Sequence, residues 1–108
     1  MKNVFISGST KGIGKAIALQ LSKKNFNVFL HGRSKKGLQQ VANLIEHQQN
    51  KRVKSITADF LKEKDLKKVS NFLKKNSIEI IINNAGEHFN GNIFNTSFLQ
   101  MKRLFQVN

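Results

Sequence analysis

Along this chain, short apolar runs alternate with longer stretches whose apolar residues recur every three or four positions. Asn3-Val4-Phe5-Ile6, closed by Gly8, has the pattern of a short buried strand. From Gly12 to Lys24, Ile13, Ala16, Ile17 and Leu21 fall at helical spacing. Val28-Phe29-Leu30, stopped by Gly32, predicts a second strand, and Leu38, Val41, Ala42 and Ile45 mark one face of a second helix. Val53 to Ala58 alternates and predicts a third strand, followed by a helix bearing Leu66, Val69, Phe72 and Leu73. Ile78 to Ile82, interrupted only by Glu79, predicts a fourth strand whose β-branched run implies cover on both faces. Thr96 or Ser97 is placed to cap a last helix carrying Phe98, Met101, Leu104 and Phe105.

Strict alternation of strand and helix is the pattern of parallel β-α-β units with right-handed crossovers. The expected fold class is therefore α/β. Without proline, internal repeat or linker, residues 1–108 are expected to form one domain. The chain reaches Asn108 about three turns into its last helix, so it is expected to be the front part of a larger unit.

Composition narrows the setting. There is no cysteine, which excludes a disulfide framework and a thiolate metal site and fits a reducing compartment. Met1-Lys2-Asn3 is followed by three apolar residues, too few for a secretory signal, and no apolar run is long enough to cross a bilayer. A cytoplasmic protein with no membrane partner is expected. The net charge of +13 attracts polyanions of any kind. The lysines, however, come as isolated pairs at 23–24, 35–36, 67–68 and 74–75, which is the pattern of scattered solvated faces. Nucleic acid is not expected as the partner, and no RNA-binding signature is present. His31, His47 and His88 show no metal-ligand spacing, so no metal is expected. His31, at a strand end, is expected to be a packed or solvated neighbour of the functional edge rather than a base.

The candidate chemistry begins at Ser7-Gly8-Ser9-Thr10-Lys11-Gly12-Ile13-Gly14, a glycine turn between the first strand and the first helix. Such a turn points backbone N–H groups and the positive end of the helix dipole at the carboxyl edge of the sheet. Gly8 permits the tight exit from the strand, Gly12 lets main chain approach a pyrophosphate, and Gly14 lets the helix pack closely. At the end of the second strand, a dinucleotide-binding unit selects its cofactor. A carboxylate there binds the ribose 2′-hydroxyl of NAD, whereas an arginine accommodates the 2′-phosphate of NADP. This chain reads His31-Gly32-Arg33-Ser34, with no acid nearby and with Lys11 on the same edge. NADP(H) is expected in preference to NAD(H).

These residues carry a family resemblance. SGSTKGIG resembles the T-G-x-x-x-G-I-G fingerprint of the short-chain dehydrogenase/reductase family, with Ser7 where threonine is usual. Asn83-Asn84-Ala85-Gly86, after the fourth strand, resembles its second signature. Asp59 is similar to the family's aspartate near the adenine, and Gln106-Val107-Asn108 resembles the helix segment with its catalytic asparagine. The nearest flavour is the NADPH-dependent carbonyl reductases typified by 3-oxoacyl-acyl-carrier-protein reductase.

The resemblance implies a Rossmann-like three-layer α/β/α fold with a parallel sheet, present as far as strand four and part of the following helix. It further implies that Gly8, Ser9, Thr10, Lys11, Gly12, Ile13 and Gly14 hold the pyrophosphate and that Arg33 and Ser34 hold the 2′-phosphate. Asp59 and Phe60 would flank the adenine, and Asn83, Asn84, Ala85 and Gly86 would line the ribose. For Asn83 and Asn84, packing at a strand end is an equal alternative. Asn108 would be the remnant of the catalytic group. The family's hydride transfer depends on a serine and a Tyr-x-x-x-Lys pair, and this chain contains no tyrosine.

The leading expectation is thus the amino-terminal NADP(H)-binding part of a carbonyl reductase, inactive alone. The alternatives are a stand-alone NADP(H)-binding module and a basic polyanion binder. The apolar strand-four edge and the last helix are candidate surfaces for a homo-oligomer or for pairing with another chain.

Overall fold

The structure, a computed structural model, describes residues 1–84. The expected last helix, with Ala85, Gly86 and Asn108, lies outside the described residues. The elements follow in the expected order: β1 (Asn3–Ile6), α1 (Gly12–Lys23), β2 (Asn27–Gly32), α2 (Lys35–Gln49), β3 (Lys54–Thr57), α3 (Glu63–Lys75) and β4 (Ile80–Ile82). Every pairing is parallel, and the strand order is β3-β2-β1-β4. The chain winds outward from β1 to β3 and then returns to the other side of β1. That reversal makes the boundary between β1 and β4 a topological switch point, and in open α/β sheets ligands bind beyond the carboxyl ends of the strands at such a point.

Strand periodicity sorts the core into two layers. Val4, Ile6, Val28 and Leu30 face α1 and α2, where Ala18, Leu38, Val41, Ala42 and Ile45 meet them. Phe5 and Phe29 point the other way, onto Leu66, Val69 and Leu73 of α3. Phe72 packs edge-on against both phenylalanines, with centroids 6.1 Å from each. This is the α/β/α arrangement of a Rossmann-like fold.

Two sequence readings need adjustment. The apolar spacing in α1 points to Ile13, Ala16, Ile17 and Leu21, yet the fully buried positions are Gly14, Ala18 and Ser22. Ile13 is 70% exposed. The physical reason is proximity: a stripe of small residues four apart lets the helix axis approach the sheet, and larger side chains flank the contact. Second, β4 is shorter than the apolar run. Ile78 is buried in the α3 layer before the strand starts, and Ile80, Ile81 and Ile82 are each half-buried. They still divide between the faces, Ile81 toward α3 and the other two toward α1 and α2.

The three helices each end near a left-handed residue that is not glycine: Asn25, Asn50 and Ser77, with φ of 68°, 53° and 52°. Asparagine tolerates that region because its short side chain hydrogen-bonds locally. Asn3 joins the amino ends of three strands. Its amide donates to the Asn76 carbonyl over 2.9 Å and accepts from Asn27 over 3.1 Å. The Asn3 backbone N–H donates to the Glu79 carboxylate over 3.1 Å. The asparagine-rich composition therefore has local structural uses.

Candidate cofactor site at the carboxyl edge of the sheet

Because all four strands are parallel, the segments following them emerge at one edge. The glycine turn follows β1, Arg33 and Ser34 follow β2, Asp59 and Phe60 follow β3, and Asn83 and Asn84 follow β4. Topology alone collects every described candidate on one side of the molecule.

The turn itself is built around two left-handed glycines, Gly8 and Gly12, both with φ of 60°. A side chain at Gly12 would meet no protein atom within 4 Å. Its glycine is required by the backbone conformation and leaves the space above the main chain open to a ligand. Gly14 is the opposite case: a Cβ there would collide with the Gly8 carbonyl and the Asn84 amide. That position is glycine because α1 is pressed against the turn.

The start of α1 suits an anion. Lys11 is its N-cap and makes no side-chain cap, and the first turn carries no acid. Its initial N–H groups and the helix dipole are thus left to whatever sits above Gly12. α2 and α3 differ, since Ser34 caps α2 and Glu63 and Asp65 lie in the first turn of α3. Open space, an uncapped helix start and positive side chains together fit a dinucleotide pyrophosphate.

Around the turn, the other candidates divide into exposed and buried groups. Lys11, Arg33 and Ser34 are exposed, as is Ile13. The Ser34 hydroxyl accepts from Gly37 N–H over 3.0 Å, which fixes the start of α2 next to Arg33. Thr10 packs against this start: a Cβ at Gly32 would lie 2.5 Å from the Thr10 methyl, and one at Gly37 would lie 3.3 Å from its Cβ. Gly32 and Gly37 therefore let the glycine turn and the Arg33 segment touch. The sequence marked Gly32 only as the stop of a strand and gave Gly37 no role, although glycines placed on either side of Arg33 were the available signal.

Ser9 is fully buried, and its hydroxyl is engaged with the His31 backbone, accepting from His31 N–H over 3.0 Å. Asp59 organises the start of α3. Its carboxylate accepts from Leu61 N–H over 3.0 Å, while its own N–H donates to Asp65 over 2.8 Å. Phe60 is buried, 4% exposed, with its ring stacked on His31 at 4.2 Å.

After β4, Asn84 donates its side-chain amide to the Gly8 carbonyl over 3.0 Å, and its backbone N–H donates to the Ser7 hydroxyl over 2.9 Å. The Asn84 side chain thus packs against the glycine turn. Asn83 is exposed, with its side-chain oxygen 3.5 Å from the Ser7 hydroxyl.

His31 is the residue whose role the sequence did not disclose. It is 3% exposed, and its ring bridges two segments. Gly8 N–H donates to Nδ1 over 2.9 Å, and Nε2 lies 2.9 Å from the Ala58 carbonyl. An Nδ1 that accepts must be unprotonated, so Nε2 carries the proton and donates to Ala58. Burial pushes the imidazole down from its ordinary 6.5 to about 4. The Ala58 hydrogen bond opposes that fall, Arg33 adds to it, and Asp59 opposes it. His31 is neutral near pH 7, a structural bridge rather than a base. Among the described residues no group of His, Cys, Asp or Glu could hold a metal ion, and no helix is long and apolar enough to cross a membrane.

The family model described as short chain dehydrogenase matches residues 2–108. The chain belongs to the short-chain dehydrogenase family. It is 39% identical over 82 residues to a very-long-chain 3-oxoacyl-CoA reductase of Anas platyrhynchos, covering 75% of this chain and 26% of that protein. It is 37% identical over 81 residues to the human 17-beta-hydroxysteroid dehydrogenase type 3, again covering 75% of this chain and 26% of that one. In fold it is similar to a short-chain dehydrogenase from Sphingobium yanoikuyae in complex with NADPH. The TM-score is 0.85 at 23% identity, covering 97% of this chain and 47% of that one. A ketone-specific alcohol dehydrogenase from Comamonas testosteroni gives a TM-score of 0.87 at 24% identity, covering 99% and 49%. The chain thus spans about a quarter of the length of these curated relatives and about half of the solved chains. Within this short-chain dehydrogenase sequence, the glycine turn, the basic end of β2 and the asparagine corner lie together at the carboxyl edge of the sheet.

Proposed function

We propose that this chain is the NADP(H)-binding amino-terminal portion of an oxidoreductase that transfers a hydride from NADPH to a carbonyl. One observation carries the choice of cofactor: the end of β2 presents Arg33 beside the capped start of α2, with no carboxylate in that segment. A 2′-phosphate gains charge-assisted bonds there, whereas a bare 2′-hydroxyl has no acid to accept its proton. Gly8 to Gly14 hold the pyrophosphate, and Asp59 and Phe60 stand at the adenine end. Asn83, with Ala85 and Gly86, lines the ribose, while Asn84, tied to the Gly8 carbonyl, holds that corner against the turn. The ketone class is suggested by the relatives, which are named for 3-oxoacyl-CoA reduction and 17-beta-hydroxysteroid dehydrogenation. A cytoplasmic setting fits a chain without cysteine.

The 108 residues alone perform no hydride transfer on this reading. Proton delivery in the family needs a tyrosine made acidic by a neighbouring cation, and the chain has none. Asn108 would contribute only in company with such residues.

The test is to titrate NADP+ and NAD+ into the wild-type chain and into Arg33→Asp. NADP+ should bind about tenfold or more tighter than NAD+ in the wild type, the worth of one charge-assisted contact. The substitution should reverse the order. Equal affinities in the wild type would refute the preference, and ketone-dependent NADPH oxidation by the 108-residue chain would refute its inactivity.

A further inference from the structure

We propose that His31 is a positioning residue of the cofactor site, its imidazole locking the glycine turn to the end of β3 so that the pyrophosphate and adenine ends keep a fixed separation. This rests on the dinucleotide reading above and adds the device that holds its two ends in register.

The geometry argues for bridging over simple packing. His31 lies on β2, the strand between the two segments it joins. On one side Gly8 N–H donates to Nδ1, and on the other Nε2–H donates to the Ala58 carbonyl, each over 2.9 Å. Gly8 opens the phosphate turn, and Ala58 immediately precedes Asp59 and Phe60. An apolar side chain of similar volume would fill the space but leave a partly buried donor and a buried acceptor without partners. A neutral imidazole satisfies both, because it accepts at one nitrogen and donates at the other. Its ring is stacked on Phe60 at 4.2 Å and tilted against Phe5 at 6.0 Å. Its backbone is pinned as well, through Ser9 N–H to the His31 carbonyl over 2.8 Å and His31 N–H to the Ser9 hydroxyl over 3.0 Å. A ring tied at its backbone and at both nitrogens can transmit position between the two segments.

The bond to Gly8 takes up the N–H of the first left-handed glycine in the turn, the same turn that leaves open space above Gly12. The inference predicts that the Gly8 bond matters more to the cofactor than the Ala58 bond does.

Two conservative variants separate the bonds. His31→Asn places an amide where Nδ1 lies and can still accept from Gly8. His31→Gln places one where Nε2 lies and can still donate to Ala58. The measurements are NADP+ affinity, thermal melting and hydrogen exchange of the Gly8 amide for the wild-type chain and both variants. Both variants should melt below the wild type, since each loses one buried bond. His31→Asn should keep a protected Gly8 amide and bind NADP+ within about threefold of wild type. His31→Gln should expose that amide and weaken binding by about tenfold or more, the worth of one unsatisfied buried group. Equal or tighter binding by His31→Gln, with wild-type binding intact, overturns the positioning role alone. An unprotected Gly8 amide in the folded wild type overturns the bridge itself. Absence of NADP+ binding by the wild type overturns the cofactor reading and this role with it.

Discussion

Asn84 and Gly8 are joined side chain to backbone, the Asn84 amide donating to the Gly8 carbonyl over 3.0 Å. The contact brings the strand-four corner against the glycine turn. The same Asn84 amide lies where a side chain on Gly14 would have to go. One asparagine, one carbonyl and one missing Cβ therefore set how near α1 comes to the turn.

Asn84→Ala should cost about 1–2 kcal/mol of stability, because the Gly8 carbonyl loses a partly buried partner while the Asn84 backbone bond to Ser7 remains. Urea denaturation of the two chains checks this. A loss under about 0.3 kcal/mol would show that water replaces the amide without cost.

Gly12→Ala and Gly14→Ala should fail in different ways. At Gly12 the cost is conformational, about 1–2 kcal/mol for an L-residue held at positive φ, with no steric clash. The added methyl then projects into the open space where the pyrophosphate is proposed to sit, so NADP+ binding should fall more than stability does. At Gly14 the methyl meets the Gly8 backbone, and the whole α1 contact must shift, costing about 1–3 kcal/mol or more. Paired melting and binding measurements separate the two, and identical profiles would contradict the division.

Acid should loosen the fold through His31. Its folded value is about 4 against an ordinary 6.5, so between those values the unfolded chain binds a proton that the folded chain does not. The contribution is therefore complete above pH 6.5 and is lost as pH falls toward 4, amounting to about 3 kcal/mol. Burial is the main cause; Arg33 adds to it, while Asp59 and the Ala58 bond counteract it. Denaturant midpoints from pH 7 to pH 4 should fall more steeply in the wild type than in His31→Asn, which lacks the proton site. Parallel slopes would mean that the ring is protonated, or exposed, in the folded state.

The sequence carried the architecture because strands β1 to β4 are short apolar runs and the helices between them have clean periodicity at Leu38-Val41-Ala42-Ile45 and Leu66-Val69-Leu73. Parallel connection then placed the segments after each strand on one edge with no further information. What stayed hidden was local chemistry across that edge. α1 buries Gly14, Ala18 and Ser22, which a search for large apolar residues passes over. Ser9 and Phe60 lie within signature segments, but their side chains are committed to His31. His31 itself looked like a neighbour of the site, because no spacing rule reveals a ring that bonds residues 23 positions before it and 27 after it. Gly32 reads in sequence only as a strand stop, and nothing in the pattern shows that Thr10 packs against it and against Gly37.

The most direct test of the central claim is a map of NADP+ on the chain itself, by amide chemical shifts in an NMR titration of the 108-residue protein. Saturable shifts should cluster at Gly12, Ile13 and Gly14 and at Arg33 and Ser34, and NAD+ should leave the Arg33 and Ser34 amides largely unmoved. Shifts that never saturate, or that spread over the lysines of α3 and leave the glycine turn still, would contradict it and mark the chain as a general polyanion binder.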